Sequence, residues 1–119
     1  MTWTGWNNGN KCLTGAGYGF KIDAAERDRY FKPEWQCVTV ELPTPSGNIA
    51  VEVGIDKESF WGRRCRELIN KDIGRWMFDQ GYAPWPKGKP PKFDVDRSGE
   101  RAFRIKVAAG TRDHDAVVP

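Results

Sequence analysis

Little in the chain belongs to the usual toolkit of enzymes or secreted scaffolds. A single histidine, His114, stands in 119 residues, so Ser–His, Cys–His and histidine-ligated metal chemistry all lack their central member. The three cysteines, Cys12, Cys37 and Cys65, form neither an even framework nor a CxxC pair. That argues against a disulfide-stapled domain and a zinc ribbon and points to a reducing, cytoplasmic setting. Cys65 reads as a small buried apolar group. No apolar run approaches the roughly 18 residues a membrane span requires. The opening MTWTGWNNGN has neither a charged leader nor an apolar h-region, so neither export nor membrane insertion is expected. Repeats, linkers and low-complexity tracts are also missing. The expectation is one globular domain over residues 1–107 and a disordered, patternless tail over 108–119.

Acidic residues are scarce where basic ones are dense. Residues 1–60 carry 6 Lys and Arg against 8 Asp and Glu, a net of −2, whereas residues 61–119 carry 13 against 8, a net of +5. The overall charge of +3 therefore hides a polarised molecule. From Gly81 to Lys92 there is no Asp or Glu at all.

Periodicity indicates an α+β fold. Tyr18-Gly19-Phe20-Lys21-Ile22 alternates as a half-buried strand does, and Asp23 with Glu26 three residues on suggests a capping box for a short helix over 24–31, ended by Pro33. Residues 37–42 and 49–53 have period two around the turn Pro43 to Asn48, an antiparallel hairpin. Val38, Val40 and Leu42 share one face with Ile49, Val51 and Val53, leaving Thr39, Glu41 and Glu52 on the other. From Arg66 to Gln80 the residues Leu68, Ile69, Ile73, Trp76 and Met77 recur at helical spacing, predicting one main amphipathic helix over 66–80, or two shorter ones with Asp72 capping the second. Residues 93–95 and 102–107 read as a closing hairpin. Residues 1–17, dense in Gly, Asn, Thr and Trp, read as an irregular arm. The whole is expected to be a mostly antiparallel, barrel-like sheet.

The basic half supplies the candidate site. Arg63, Arg64, Arg66, Lys71 and Arg75 cluster around the helix, and Lys87, Lys89 and Lys92 follow in the strap APWPKGKPPKF, whose prolines fix φ and favour an extended rail. Lysine and arginine neutralise phosphates and release condensed counterions, the main source of sequence-independent nucleic-acid affinity. Trp85, between two prolines, can stack on a base or cap the core, whereas Trp76 lies on the apolar stripe of the helix. Asn8 and Lys11 stand beside Trp3 and Trp6 in an arm able to reach a groove. The expected function is non-catalytic nucleic-acid binding, duplex DNA foremost. The alternative is a small interaction module whose basic face meets an acidic protein, because electrostatic steering uses the same residues.

No catalytic residue, metal ligand or cofactor is expected. A magnesium-dependent nuclease would have to use Asp94 and Asp96 with Lys106, but exposed Asp beside a Ser-Gly turn is ordinary. Gly15, Gly17 and Gly19 form G-x-G-x-G ahead of a strand, not between a strand and a helix, so a tight turn is expected and not a phosphate loop.

The segments TGAGYGFKI, AAERDRYF, VTVEL, NIAVEV, IGRWMFDQGYAPW, FDV and AFRIKV, in that order over residues 14–107, resemble the DNA-binding pseudobarrel superfamily. That superfamily includes plant auxin-response-type factors and the effector domains of some bacterial restriction endonucleases. The resemblance implies an open, bent β-barrel flanked by short helices, with two arms straddling the major groove. By position the arms would be Trp3 to Lys11 with Tyr18, and Asp56 to Arg66.

Overall fold

The computed structural model describes residues 1–9, 14–62 and 66–108. Seven strands and three helices follow in the order β1 (Thr2–Asn7), β2 (Tyr18–Lys21), α1 (Ala24–Tyr30), β3 (Cys37–Thr44), β4 (Gly47–Gly54), α2 (Glu58–Trp61), β5 (Glu67–Ile69), α3 (Lys71–Asp79), β6 (Lys92–Gly99) and β7 (Ala102–Ala108). The strands form one mixed sheet in the order β4-β3-β7-β6-β1-β2-β5, nearly closed into a barrel, so the α+β, barrel-like expectation is met. Only β3 and β7 pair in parallel among the described strands.

The interior is aromatic. Trp3, Phe20, Phe60, Phe93 and Phe103 are fully buried, and Phe31 stacks on Phe103 with centroids 4.7 Å apart. Rings in offset or edge contact add specific attraction to the large area they remove from water. The hairpin behaves as its alternation demands: Val38, Val40 and Leu42 are buried opposite Val53 and Val51. Ile49, in register with the fully buried Leu42, remains 45% exposed on the edge strand, where it lines a cleft beside α3.

Four local expectations are corrected. The arm over residues 1–17 contains β1, which fills a central place between β6 and β2 and buries Trp3 completely. The main helix spans only Lys71–Asp79, because residues 67–69 pair with β2 as a third neighbour in the sheet. Its N-cap is Asn70, whose Oδ1 accepts from the backbone N–H of Asp72 at 2.7 Å, so Asp72 lies inside the first turn and does not cap it. The capping box at α1 does not form either: Asp23 makes no cap bond. Burial, followed by repulsion from Asp23, pushes the Glu26 carboxyl above its ordinary range.

Side chains lock the helices to the barrel. Arg27 of α1, 8% exposed, donates from Nη1 to the carbonyls of Phe60 and Gly62 at 3.1 and 2.6 Å and lies over the Trp61 ring. Trp76 of α3 donates from Nε1 to the Pro43 carbonyl at 2.7 Å. The glycine run ahead of β2 has a packing role. A Cβ on Gly15 would lie 2.3 Å from the Lys71 carbonyl oxygen, and one on Gly74 would lie 2.2 Å from the Gly15 oxygen, so loop and helix meet backbone to backbone.

Candidate nucleic-acid interface

After α3 the chain crosses one end of the barrel. The N–H groups of Tyr82 and Ala83 both bond to the Met77 carbonyl, at 2.8 and 3.1 Å, and the Gly5 N–H bonds to the Pro91 carbonyl at 2.8 Å, which stitches the strap onto β1. Between these ties the strap is not a straight rail. Lys89 N donates to Pro86 O at 2.9 Å, with Gly88 at φ +78°, so Pro86 to Lys89 form a tight turn whose third residue needs positive φ. Glycine supplies that φ without cost, and the turn overrides the extended tendency of the flanking prolines.

The turn and the end of β1 enclose a cleft of about 370 Å³, lined by Asn7, Gly9, Trp85, Lys87 and Gly88. Trp85 does both of the things its surroundings allow. Its ring meets the Tyr18 ring edge-on at 5.6 Å and lies against Gly5, where a Cβ would be 3.3 Å from Cη2, so it caps the core while walling the cleft. Asn7 Oδ1 accepts from the Gly9 N–H at 2.8 Å, fixing the turn that forms the opposite lip. Among the described residues no carboxylate lines this cleft. The ion pairs among the described residues are Arg27–Asp28, Arg104–Glu41 and Lys106–Asp96, so Lys87 and Lys89, both exposed, are uncommitted to any of them.

The remaining candidates separate. Arg75 lines a different cleft, of about 240 Å³, between α3 and β4, where Asp72 and Asp79 share its wall. The exposed stripe of α3 thus reads Lys71, Asp72, Arg75, Asp79, two cations against two carboxylates. Arg66 lies at the far end of β2, its Nε donating to the Ile22 carbonyl at 2.8 Å. Lys92 stands on the outer face of β6, opposite Thr4 and two residues from Asp94. Asn8 is exposed next to the cleft, its N–H bonded to the Gly17 carbonyl at 2.9 Å. Lys11, Arg63 and Arg64 lie outside the described residues, as do Cys12, Cys65, His114 and residues 109–119. Trp3 and Tyr18 are fully buried and cannot serve an arm.

Of the residues that shape the strap cleft, Asn7 and Gly9 fall within the Trp3 to Lys11 arm of the sequence reading, whereas Gly88 was missed. The signal for Gly88 was a Pro-Lys-Gly-Lys tetrapeptide, a turn pattern set among prolines that favour extension. The counter-charges on α3 were legible too, since Asp79 is four residues after Arg75.

Catalytic features are sparse on the described surface. Lys106 Nζ pairs with Asp96 at 3.5 Å on the exposed face of the closing hairpin, and among the described residues no three His, Cys, Asp or Glu side chains gather as a metal site. The Cys37 thiol is held above its ordinary range, first by its hydrogen bond to Glu52 at 3.2 Å, which opposes nucleophilic use. No helix among the described residues is long and apolar enough to cross a membrane. No family model, curated protein or solved structure matches the chain.

Proposed function

We propose that this protein binds nucleic acid, without chemistry of its own, through the strap cleft. One observation carries the reading: an indole wall, a side-chain amide and a lysine line a single recess in which no described residue places a carboxylate. The indole offers a stacking surface, the lysines at 87 and 89 offer phosphate contacts, and the closed turn presents them with little ordering entropy left to lose. Duplex DNA comes first among ligands because its phosphate charge is the densest. Compared with the sequence reading, the interface contracts to Trp85, Lys87, Lys89 and Asn8. The neutral stripe of α3 no longer supports a role for Lys71 and Arg75.

A salt titration of binding to matched duplex DNA, single-stranded DNA and RNA tests this. Affinity should fall with salt, and Lys87→Glu with Lys89→Glu should reduce the log–log slope on duplex by about two, near 0.9 for each phosphate no longer neutralised. Arg75→Glu should leave it unchanged. Lys11→Glu and Arg63→Glu with Arg64→Glu, measured alongside, assign the candidates outside the described residues. A slope indifferent to the strap reversals removes the cleft from the interface. Binding to none of the three nucleic acids leaves an acidic protein as its partner.

A further inference from the structure

A second surface is independent of charge. β4 is an edge strand eight residues long, and its pairing with β3 fixes which of its backbone groups face outward. In an antiparallel pair both polar groups of a residue point the same way, and the direction alternates along the strand. Thr39 N donates to Arg101 O on the β7 side at 2.8 Å, so the backbone N–H and C=O groups of Thr39 and of its register partner Glu52 point away from each other. On the β4 side the same parity is seen independently, because the Glu52 carbonyl accepts from Asn70 Nδ2 at 3.2 Å. Ala50 and Asn48, in register with Glu41 and Pro43, share that parity, so their N–H and C=O groups face out from the sheet. Both residues are exposed, and among the described residues neither makes a backbone bond outside the ladder.

Unpaired edges are normally blunted by lysine, proline, a bulge or brevity. The other end of the sheet, β5, is only three residues long and comes alongside β4 near Glu52, where the barrel nearly closes, so it leaves the edge before Val51 uncovered. Along Gly47–Val51 none of these devices occurs, and the register with β3 runs unbroken. Beside this stretch lies the cleft shared with α3, whose floor includes Ile49, Val51 and Trp76 and whose wall carries Asp72, Arg75 and Asp79, a net of −1.

We infer that the β4 edge accepts an added strand: an extended segment of a partner protein, apolar at alternate positions and carrying a Lys or Arg. Its backbone pairs with Asn48 and Ala50. Its apolar side chains meet Ile49 and Trp76 in the cleft, and its cation meets Asp72 and Asp79. Main-chain hydrogen bonds supply affinity in this mode and alternate side chains supply specificity.

The test is selection of ten-residue peptides from a displayed library against the full chain, followed by amide hydrogen exchange with and without a selected peptide. Protection should appear at Asn48 and Ala50. N-methylating the peptide amides of one alternating register should weaken binding about thirtyfold, while the other register tolerates it. Ala50→Pro removes one outward N–H without costing a β3–β4 bond, so peptide affinity should drop with the melting temperature nearly kept. The proposal is overturned if no peptide is selected, if bound peptides leave Asn48 and Ala50 unprotected, or if both N-methyl registers are equivalent. It is also overturned if those amides are protected in the chain alone. Loss of that protection on dilution would identify a second copy at the edge, and loss on truncation after Ala108 would identify the chain's own C-terminal segment.

Discussion

The strap cleft and the cleft beside β4 both depend on α3, one on its C-terminal extension and the other on its exposed stripe, yet they are chemically opposite. The first gathers an indole and a lysine with no acid on its lining among the described residues. The second sets Arg75 between Asp72 and Asp79 and runs along an unpaired strand edge. In sequence, Arg75 and Lys87 belong to one basic region. In the fold they line different recesses that share no described residue. The difference teaches that charge density along a chain becomes a net basic surface only where the fold leaves the carboxylates behind. At the strap it does so because Gly81 to Lys92 contains none; on α3 the helical repeat returns one beside each cation.

The most severe way to break the contrast is to undock α3, since both recesses depend on it. Gly74→Ala puts a Cβ 2.2 Å from the Gly15 oxygen and 2.7 Å from its Cα, backbone atoms that cannot yield without moving the loop before β2. The expected loss is about 3 kcal/mol of stability, measured by urea midpoint, at the upper end of ordinary overpacking. An unchanged midpoint would show that the loop and helix do not meet as described.

A smaller effect, confined to one recess, should come from Trp85→Ala. Stacking of a base on an aromatic ring is worth about 1–3 kcal/mol, so nucleic-acid affinity at fixed salt should fall about tenfold or more by fluorescence anisotropy. Arg75→Ala should leave affinity unaltered. Because Trp85 also packs on Tyr18, Trp85→Phe provides the control, keeping a ring against the core and retaining most of the binding.

The sequence made some of this contrast legible. The β3–β4 hairpin was readable because strict alternation over two runs has one structural solution with a buried face. β1 was not, since Gly5 and Asn7 carry turn chemistry, and only pairing on both sides by β6 and β2 holds TWTGWN extended. β5 was hidden inside a convincing helical repeat: Leu68 faces the core equally well from a strand, and three residues are too few to reveal a period of two. For the site, residue types at the strap were readable and their spacing was not. Whether Lys87 and Arg75 converge depends on the turn at Gly88 and on the face α3 turns toward β4, both tertiary facts.

Asn70 gives a finer cut, because one side chain serves both halves of the comparison. Its Oδ1 caps α3 through Asp72 N, and its Nδ2 holds the Glu52 carbonyl at the end of the open edge. Asn70→Ala should cost about 1 kcal/mol in thermal or urea unfolding, the usual value of an N-cap. Asn70→Asp keeps the acceptor and loses the donor, so it should recover most of that loss. It should also let the outward carbonyl of Glu52 join whatever pairs with Ala50, raising peptide affinity at the edge. Equal destabilisation by both variants would place the stabilising contact at β4 instead of at the cap.

The smallest effect concerns whether Glu52 adds its charge to the β4 cleft alongside Asp72 and Asp79. The structure commits its carboxylate elsewhere: it accepts from the Thr39 hydroxyl and from the Cys37 thiol, and the Thr39 bond, with help from Cys37, holds the carboxyl below its ordinary range. The sign for Cys37 is opposite, because an anionic acceptor stabilises the thiol and disfavours the thiolate. Glu52→Gln removes that charge, so the folded-state thiol should ionise at lower pH and alkylate faster at pH 8, by on the order of a few-fold. Peptide-resolved mass spectrometry of iodoacetamide labelling at Cys37 reads the change. An unaltered rate would mean that the carboxylate is not engaged with Cys37, and Glu52 would then count with Asp72 and Asp79 in setting the charge that an added strand must match.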